Sequence, residues 1–196
     1  MSKTRENLKT AFAGESQARN KYTFFAEVAR KEGYLYIARI FEETAENEKQ
    51  HAKDHLLLLN DIGDTVANLK EAWGGEDHEV ESMYPTFAKE AEEEGEKRAA
   101  IAFREVAKIE AHHRERYKKL LEMVETGTVY KREQAIKWKC SMCGYIHQGK
   151  EPPIKFLPVN IPGNSTNRQV WMCDCKMKLL QLCLLHPIVP RAVSAS

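Results

Sequence analysis

Two copies of one short pattern, Glu48-x-x-His51 and Glu110-x-x-His113, carry the residues of this chain best suited to chemistry. Residues three apart on a helix share a face, so each pair presents a carboxylate beside an imidazole. Such hard oxygens with one imidazole per metal suit iron or manganese. With 24 Glu and 7 His among 196 residues, about one such pair is expected by chance, so the pairs alone are weak evidence. Their register is more telling. In the second helical segment the core-facing stripe reads Phe41, Ala45, Glu48, Ala52, His55 and Leu59. In the fourth it reads Val106, Glu110, His113, Tyr117 and Leu121. The first segment puts Glu15 among Ala11, Ala18, Tyr22, Ala26 and Ala29, and the third opens with Glu76 and Glu79 on one face. Charges directed into a helical core are costly unless neutralised. One Glu from each of two helices, with Glu-x-x-His from each of two others, is the ligand pattern of di-iron and di-manganese carboxylate bundles. His55 and His112 lie near the cluster but out of register, and read as supporting or surface residues. Tyr22 and Tyr84 sit one turn away. A buried phenol there needs a partner, which a ligand carboxylate supplies; plain core packing is the alternative.

The elements that must position these residues are helices. Ala, Glu, Lys, Arg and Leu dominate the first 126 residues, without β-branched runs. Four segments are expected: Thr4 to Lys31, stopped at Gly33; Tyr34 to Asn60, stopped near Gly63; Glu76 to Gly95; and Glu96 to Glu125, stopped at Gly127. Residues 60–75, ending in Trp73-Gly74-Gly75, read as a linker, and Pro85 is expected to kink or divide the third helix. Shifting the sequence by 62 aligns Tyr22–His51 with Tyr84–His113 at 12 identities in 30 positions, including both Glu-x-x-His pairs. Biased composition gives roughly two or three by chance. Two helical hairpins related by a pseudo-twofold axis explain this, as an all-α four-helix bundle with the 60–75 linker as its long crossover.

Composition removes other classes. Net charge is +1, from 30 basic and 29 acidic residues, which gives no electrostatic footprint for nucleic acid. No apolar run approaches the roughly 18–20 residues of a membrane span, and MSKTRENLKTAFAGES lacks a secretory core. A cytoplasmic protein with no membrane partner is expected. Five cysteines without an export signal point to metal or free thiols rather than a disulfide framework.

At these residues the chain resembles the rubrerythrins. AFAGESQARNKY, ETAENEKQHAK, GGEDHEVESMYPTFA, IEAHH and KWKCSMCGYIHQGKEPP carry the resemblance, which covers about residues 1–153. It implies a ferritin-like di-iron domain over 1–134 and the first half of a rubredoxin-like domain over 135–153. It implies two non-haem irons held by Glu15, Glu48, His51, Glu76, Glu79, Glu110 and His113. Glu48 and Glu110 would bridge, one iron would move between His51 and Glu79 with redox state, and Tyr22 and Tyr84 would restrain the ligands. Glu79 separates this set from ferritins. The implied activity is an oxidoreductase's: reduction of hydrogen peroxide to water in oxidative-stress defence. Electrons would come from a rubredoxin/NAD(P)H chain, in a homodimer or higher homo-oligomer.

The resemblance stops after Pro152-Pro153. Cys140 and Cys143 match half of a rubredoxin iron site, whose four thiolates come from two Cys-x-x-Cys loops. The second loop is missing. Cys173, Cys175 and Cys183 follow at unlike spacing, and residues 154–196 hold one acid against five bases. That tail reads as divergent, either disordered or shifted in reading frame. Cys175 or Cys183 completing a makeshift site, with iron or zinc, is the remaining use for these thiols. Two further functional readings stand beside the peroxidase: a ferritin-like Fe(II)-oxidising protein, and an iron-binding bundle whose turnover is impaired by the broken relay.

Overall fold

In the computed structural model of the chain, the residues described are 2–141, 144–153 and 171–173. Two compact units divide it, Met1–Asn68 and Leu69–Ser196. The first unit is a helical hairpin. Helix α1 spans Lys3–Lys31, its start capped by the Ser2 hydroxyl accepting from the Arg5 N–H at 3.3 Å. Gly33, at φ 87°, makes the tight reversal into α2, Leu35–Leu59. A residue with a Cβ is strained there, which is why glycine ends the helix. Asn60, at φ 57°, closes α2 in the same left-handed way.

The second unit holds α3 (most of Thr65–His78), a π turn at Glu79–Met83, α4 (Tyr84–Glu93) and α5 (Lys97–Glu125). Here the sequence reading needs correction. Residues 60–75 were expected to form a linker, but the helix begins at Thr65. Asp64 caps it by accepting from the Ala67 N–H at 2.8 Å, and the Asn68 amide bonds both the N–H and the carbonyl of Gly63, at 2.8 and 2.9 Å. Gly74 and Gly75 each cost about 1 kcal/mol in a helix. Capping and the strong helix formers Leu69, Lys70, Glu71 and Ala72 outweigh that cost.

The helix is also a repeat. At an offset of 61, seven of positions 4–15 recur: Thr4, Asn7, Leu8, Lys9, Ala11, Gly14 and Glu15 match Thr65, Asn68, Leu69, Lys70, Ala72, Gly75 and Glu76. From Tyr22 and Tyr84 onward the offset is 62. The chain from Thr65 to Glu93 is thus the counterpart of α1 with one residue inserted. The π turn absorbs that residue, and the Tyr84 N–H bonds the Glu79 carbonyl five residues back. Pro85 sits at the head of α4, just past this widened turn, where its missing N–H is tolerated. It divides the segment as expected.

Each hairpin closes on alanines. Ala26, Ala29 and Ala38 form a buried cluster with Phe41 against it, and their repeat mates Ala88, Ala91 and Ala100 are buried too. The small side chains let the helices approach closely. Ala38 and Ala100 are almost wholly enclosed, so Ala38→Leu or Ala100→Leu overfills the hairpin. Each is expected to lower unfolding stability by about 1–3 kcal/mol, read by urea denaturation; an unchanged midpoint would show that the two helices of that hairpin are not tightly apposed.

The C-terminal sheet has order β2-β1-β3, with both pairings antiparallel: β1 Ile136–Cys140, β2 Ile146–Gly149 and β3 Trp171–Cys173. Trp138 and Cys140 are its buried centre, packed by Tyr130 and Ile136. The Trp138 indole donates to the Gly149 carbonyl at 2.9 Å, and Arg132 lies over its ring at 5.2 Å. Strand β3 belongs to the tail for which no fold was expected; its backbone pairs Cys173 with Trp138 and Trp171 with Cys140. Cys143, Cys175 and Cys183 lie outside the described residues. No helix among the described residues is long and apolar enough to cross a membrane.

Candidate metal centre

Six of the seven expected iron ligands gather into two triplets, one in each hairpin: Glu15, Glu48 and His51, and Glu76, Glu110 and His113. Within each triplet one donor atom per residue lies within 4.8 Å of the others. In the first, His51 Nδ1 stands 3.1 Å from Glu48 Oε2 and 4.0 Å from Glu15 Oε1. In the second, His113 Nδ1 stands 2.6 Å from Glu110 Oε2 and 3.7 Å from Glu76 Oε1. The two sets match because the repeat places the same residues on the same faces. Glu48 and Glu110 are largely shielded, with 17% and 16% of their side chains exposed, whereas His51 is 55% exposed.

The electrostatics are those of carboxylates in want of a cation. The Glu48 carboxylate accepting from Glu15 raises the Glu15 carboxyl above its ordinary range, helped by burial. Glu48 is held low in turn by its bonds to Glu15 and then His51. Burial and then the bond to Glu110 raise Glu76, whose Oε2 is a buried oxygen with no hydrogen-bond partner. A divalent metal would satisfy that oxygen and remove the repulsion, so the donor set fits a hard cation.

The sign of the Glu76 shift gives a test. A raised carboxyl binds its proton more tightly folded than unfolded. Its contribution to apo stability is full below the ordinary value of 4.5 and is lost as pH rises through the raised one. Melting temperatures of chelator-treated protein should fall less between pH 4.5 and 7 in Glu76→Gln than in the parent. An equal or steeper fall in the variant would contradict the assignment.

Glu79 lies outside both triplets but close by. It occupies the first position of the π turn, and its charge raises both Glu76 and the Tyr84 phenol. Burial is the larger cause for Tyr84, followed by Glu79, Glu110 and Glu76. Tyr84 packs against Phe103 at 6.2 Å between ring centroids, and Tyr22 packs against Phe25 and Phe41 at 6.2 and 6.1 Å. His55 is half-buried, and its Nδ1 has no hydrogen-bond partner. Its repeat mate is Tyr117, so the repeat carries no matching imidazole. Arg114 was not singled out from the sequence. It bonds Asp77 at 2.9 Å and Glu81 at 2.6 Å, gripping the chain on both sides of Glu79. The signal was its position one residue after a ligand histidine, with acids flanking Glu79.

A helical hairpin pair with repeat-related carboxylate and histidine ligands defines a protein of the ferritin-like di-iron class. The rubrerythrin family model matches residues 6–121, and the rubrerythrin rubredoxin-like model matches residues 138–155. The chain is 49% identical over 170 residues to a rubrerythrin of Porphyromonas gingivalis, covering 80% of this chain and 84% of that one. It is 46% identical over 170 residues to a rubrerythrin of Clostridium perfringens, covering 78% and 87%. The solved structure of fully reduced, all-ferrous nigerythrin matches at 34% identity over 76% of this chain and 78% of that one, with a TM-score of 0.33. The chain belongs to the rubrerythrin family.

Proposed function

We propose that this protein is a non-haem di-iron peroxidase that reduces hydrogen peroxide to water with electrons from a rubredoxin/NAD(P)H chain. The reading rests on one observation: two carboxylate–carboxylate–histidine triplets, with a further carboxylate, Glu79, in a π turn beside one of them. Glu15, Glu48, His51, Glu76, Glu79, Glu110 and His113 would hold two irons. Bound as a ferrous pair, they supply the two electrons that reduction of one peroxide consumes. The remaining work falls to the protein. Glu48 and Glu110 are oriented by the imidazoles beside them. Glu15 and Glu76, raised as carboxyls, release protons when metal binds. Tyr84 keeps its Oη protonated through the neutral range and offers an O–H where product water must be completed. Tyr22 is held by Phe25 and Phe41, and Tyr84 by Phe103, so aromatic packing fixes both phenol rings.

Electron supply favours an outside donor. Cys140 is buried beside Trp138 in β1, and the matched rubredoxin-like stretch ends at residue 155, before any second Cys-x-x-Cys. The same lack favours a second reading, an iron-oxidising protein with slow peroxide turnover. Anaerobic reduction followed by mixing with peroxide or O₂, monitored by di-iron absorbance, separates them. The peroxidase reading expects fast oxidation by peroxide and slow oxidation by O₂. Equal or reversed rates would support iron oxidation, and no absorbance change would sink both.

A further inference from the structure

We propose that a groove between α1 and α2 binds a small organic anion, a carboxylate carried on an apolar body of about ring size. The carrying observation is a difference between the two hairpins. In the second, Arg114 reaches from α5 across to Asp77 at 2.9 Å and Glu81 at 2.6 Å. In the first, the repeat mates of Asp77, Glu81 and Arg114 are Ser16, Asn20 and Ala52, at offsets of 61, 61 and 62. A bridge of one cation and two acids is thus replaced by three neutral residues. The space such a bridge would take is left open: all three line a groove of about 370 Å³. That volume is at the small end of the range for ligand pockets.

The rest of the lining says what the groove would hold. Arg19 on α1 and Lys49 and Lys53 on α2 supply positive charge. Arg19 donates to the Asn20 side-chain oxygen at 3.0 Å, which leaves the Asn20 amide nitrogen to donate elsewhere. Lys49 is paired with Glu46 at 2.9 Å, and Lys53 has no ion-pair partner among the described residues. Glu46 is held low by Lys49 and, more weakly, by Arg19, so one carboxylate already answers part of this charge. A surplus of cation remains. The other side chains are apolar. Ala52 is buried, Phe12 and Leu56 are half-buried, and Ile62 is 43% exposed. A bare inorganic anion would leave these apolar groups wet. A neutral hydrocarbon would leave the cations unanswered. An anion with an apolar body satisfies both.

The groove is distinct from the metal donors yet at their level. Ser16 follows Glu15, Lys49 follows Glu48, and Ala52 follows His51, so it lies about 100° round each helix from the triplet. A bound anion there joins α1 to α2, as Arg114 joins α5 to the chain on both sides of Glu79.

Naphthoate should be titrated into the full chain by calorimetry, with acetate and naphthalenemethanol as comparators. Naphthoate is expected to bind about tenfold or more tightly than either, since it alone uses both the charged and the apolar lining. Arg19→Gln with Lys53→Gln should remove its advantage over naphthalenemethanol. A second variant closes the groove with the protein's own solution: Ser16→Asp, Asn20→Glu and Ala52→Arg together copy the bridge of the second hairpin. It should abolish binding of both naphthyl compounds while helical content by circular dichroism is unchanged. No heat from naphthoate at up to about 10 mM would overturn the proposal. So would equal affinity for acetate or for naphthalenemethanol. Binding that survives in the bridged variant would place naphthoate elsewhere, on the metal donors for example, and would overturn it too. Should the bridged variant fail to fold, the Arg19→Gln, Lys53→Gln pair decides: an advantage retained there sinks the proposal.

Discussion

Replacing Glu110 with alanine should abolish paired iron while leaving the metal-free protein at least as stable as the parent. Glu110 is the most connected carboxylate of its triplet, 2.6 Å from His113 and hydrogen-bonded to Glu76. Partners that merely support a metal ligand are worth about 10–100-fold in affinity, so a direct ligand should cost more than about 100-fold. The stability effect runs the other way. With Glu110 gone, Glu76 loses a like-charged neighbour, and its carboxyl should fall back toward the ordinary value of 4.5. Iron titration followed by dialysis, with thermal melting of the chelated protein, reads both effects. The exposed Glu90 serves as control, and Glu90→Ala should change neither. A Glu110→Ala protein that retains two irons, or whose apo form melts well below the parent, would show that Glu110 is structural.

Deleting Ser82 should have an effect as large by a different route. Ser82 is an exposed residue of the π turn, and its side chain takes no part in either triplet. Removing it restores a single offset of 61 between the two repeats and permits ordinary α-helical bonding. Glu76 and Glu79 then turn by about 100° relative to Tyr84, Phe87 and Ala88. If the hairpin packing of Ala88 and Ala91 holds, the carboxylates leave the face of Glu110 and His113. Metal affinity should drop by more than about 100-fold, as for loss of a ligand, with helical content by circular dichroism unchanged. Ser82→Ala, which keeps the residue count, should bind metal like the parent. Equal metal binding by the deletion would mean that the π turn does not place Glu76 and Glu79.

Much of this centre was legible in the sequence because its determinants are periodic. The Glu-x-x-His pairs, Glu15 and Glu76 recur on helical faces, and the structure brings them into two triplets. The hairpins were legible for the same reason, since Gly33 and Gly95 mark both reversals at positive φ. What escaped was a change of phase. A comparison at a fixed offset of 62 loses the repeat upstream of Tyr84, where one added residue moves it to 61, so Asn68-Leu69-Lys70 went unrecognised as the copy of Asn7-Leu8-Lys9. Trp73-Gly74-Gly75 then looked like a helix breaker, when capping by Asp64 and Asn68 was enough to hold the helix. Arg114 escaped because an arginine on a charged helix is usually solvated, and only the fold sets it between Asp77 and Glu81. Strand β3 escaped because three residues with no periodic context leave no pattern to read.

The tight reversals at Gly33 and Gly95 also set an order of events during biosynthesis. Each triplet is drawn entirely from one antiparallel helix pair, whose contacts are close in sequence, and such pairs form on microsecond to millisecond timescales. Each donor triplet can therefore gather as soon as its own helix pair has formed. Iron present at that stage would meet three donors already gathered on each helix pair, so ion availability during synthesis should govern how much metal the finished chain carries.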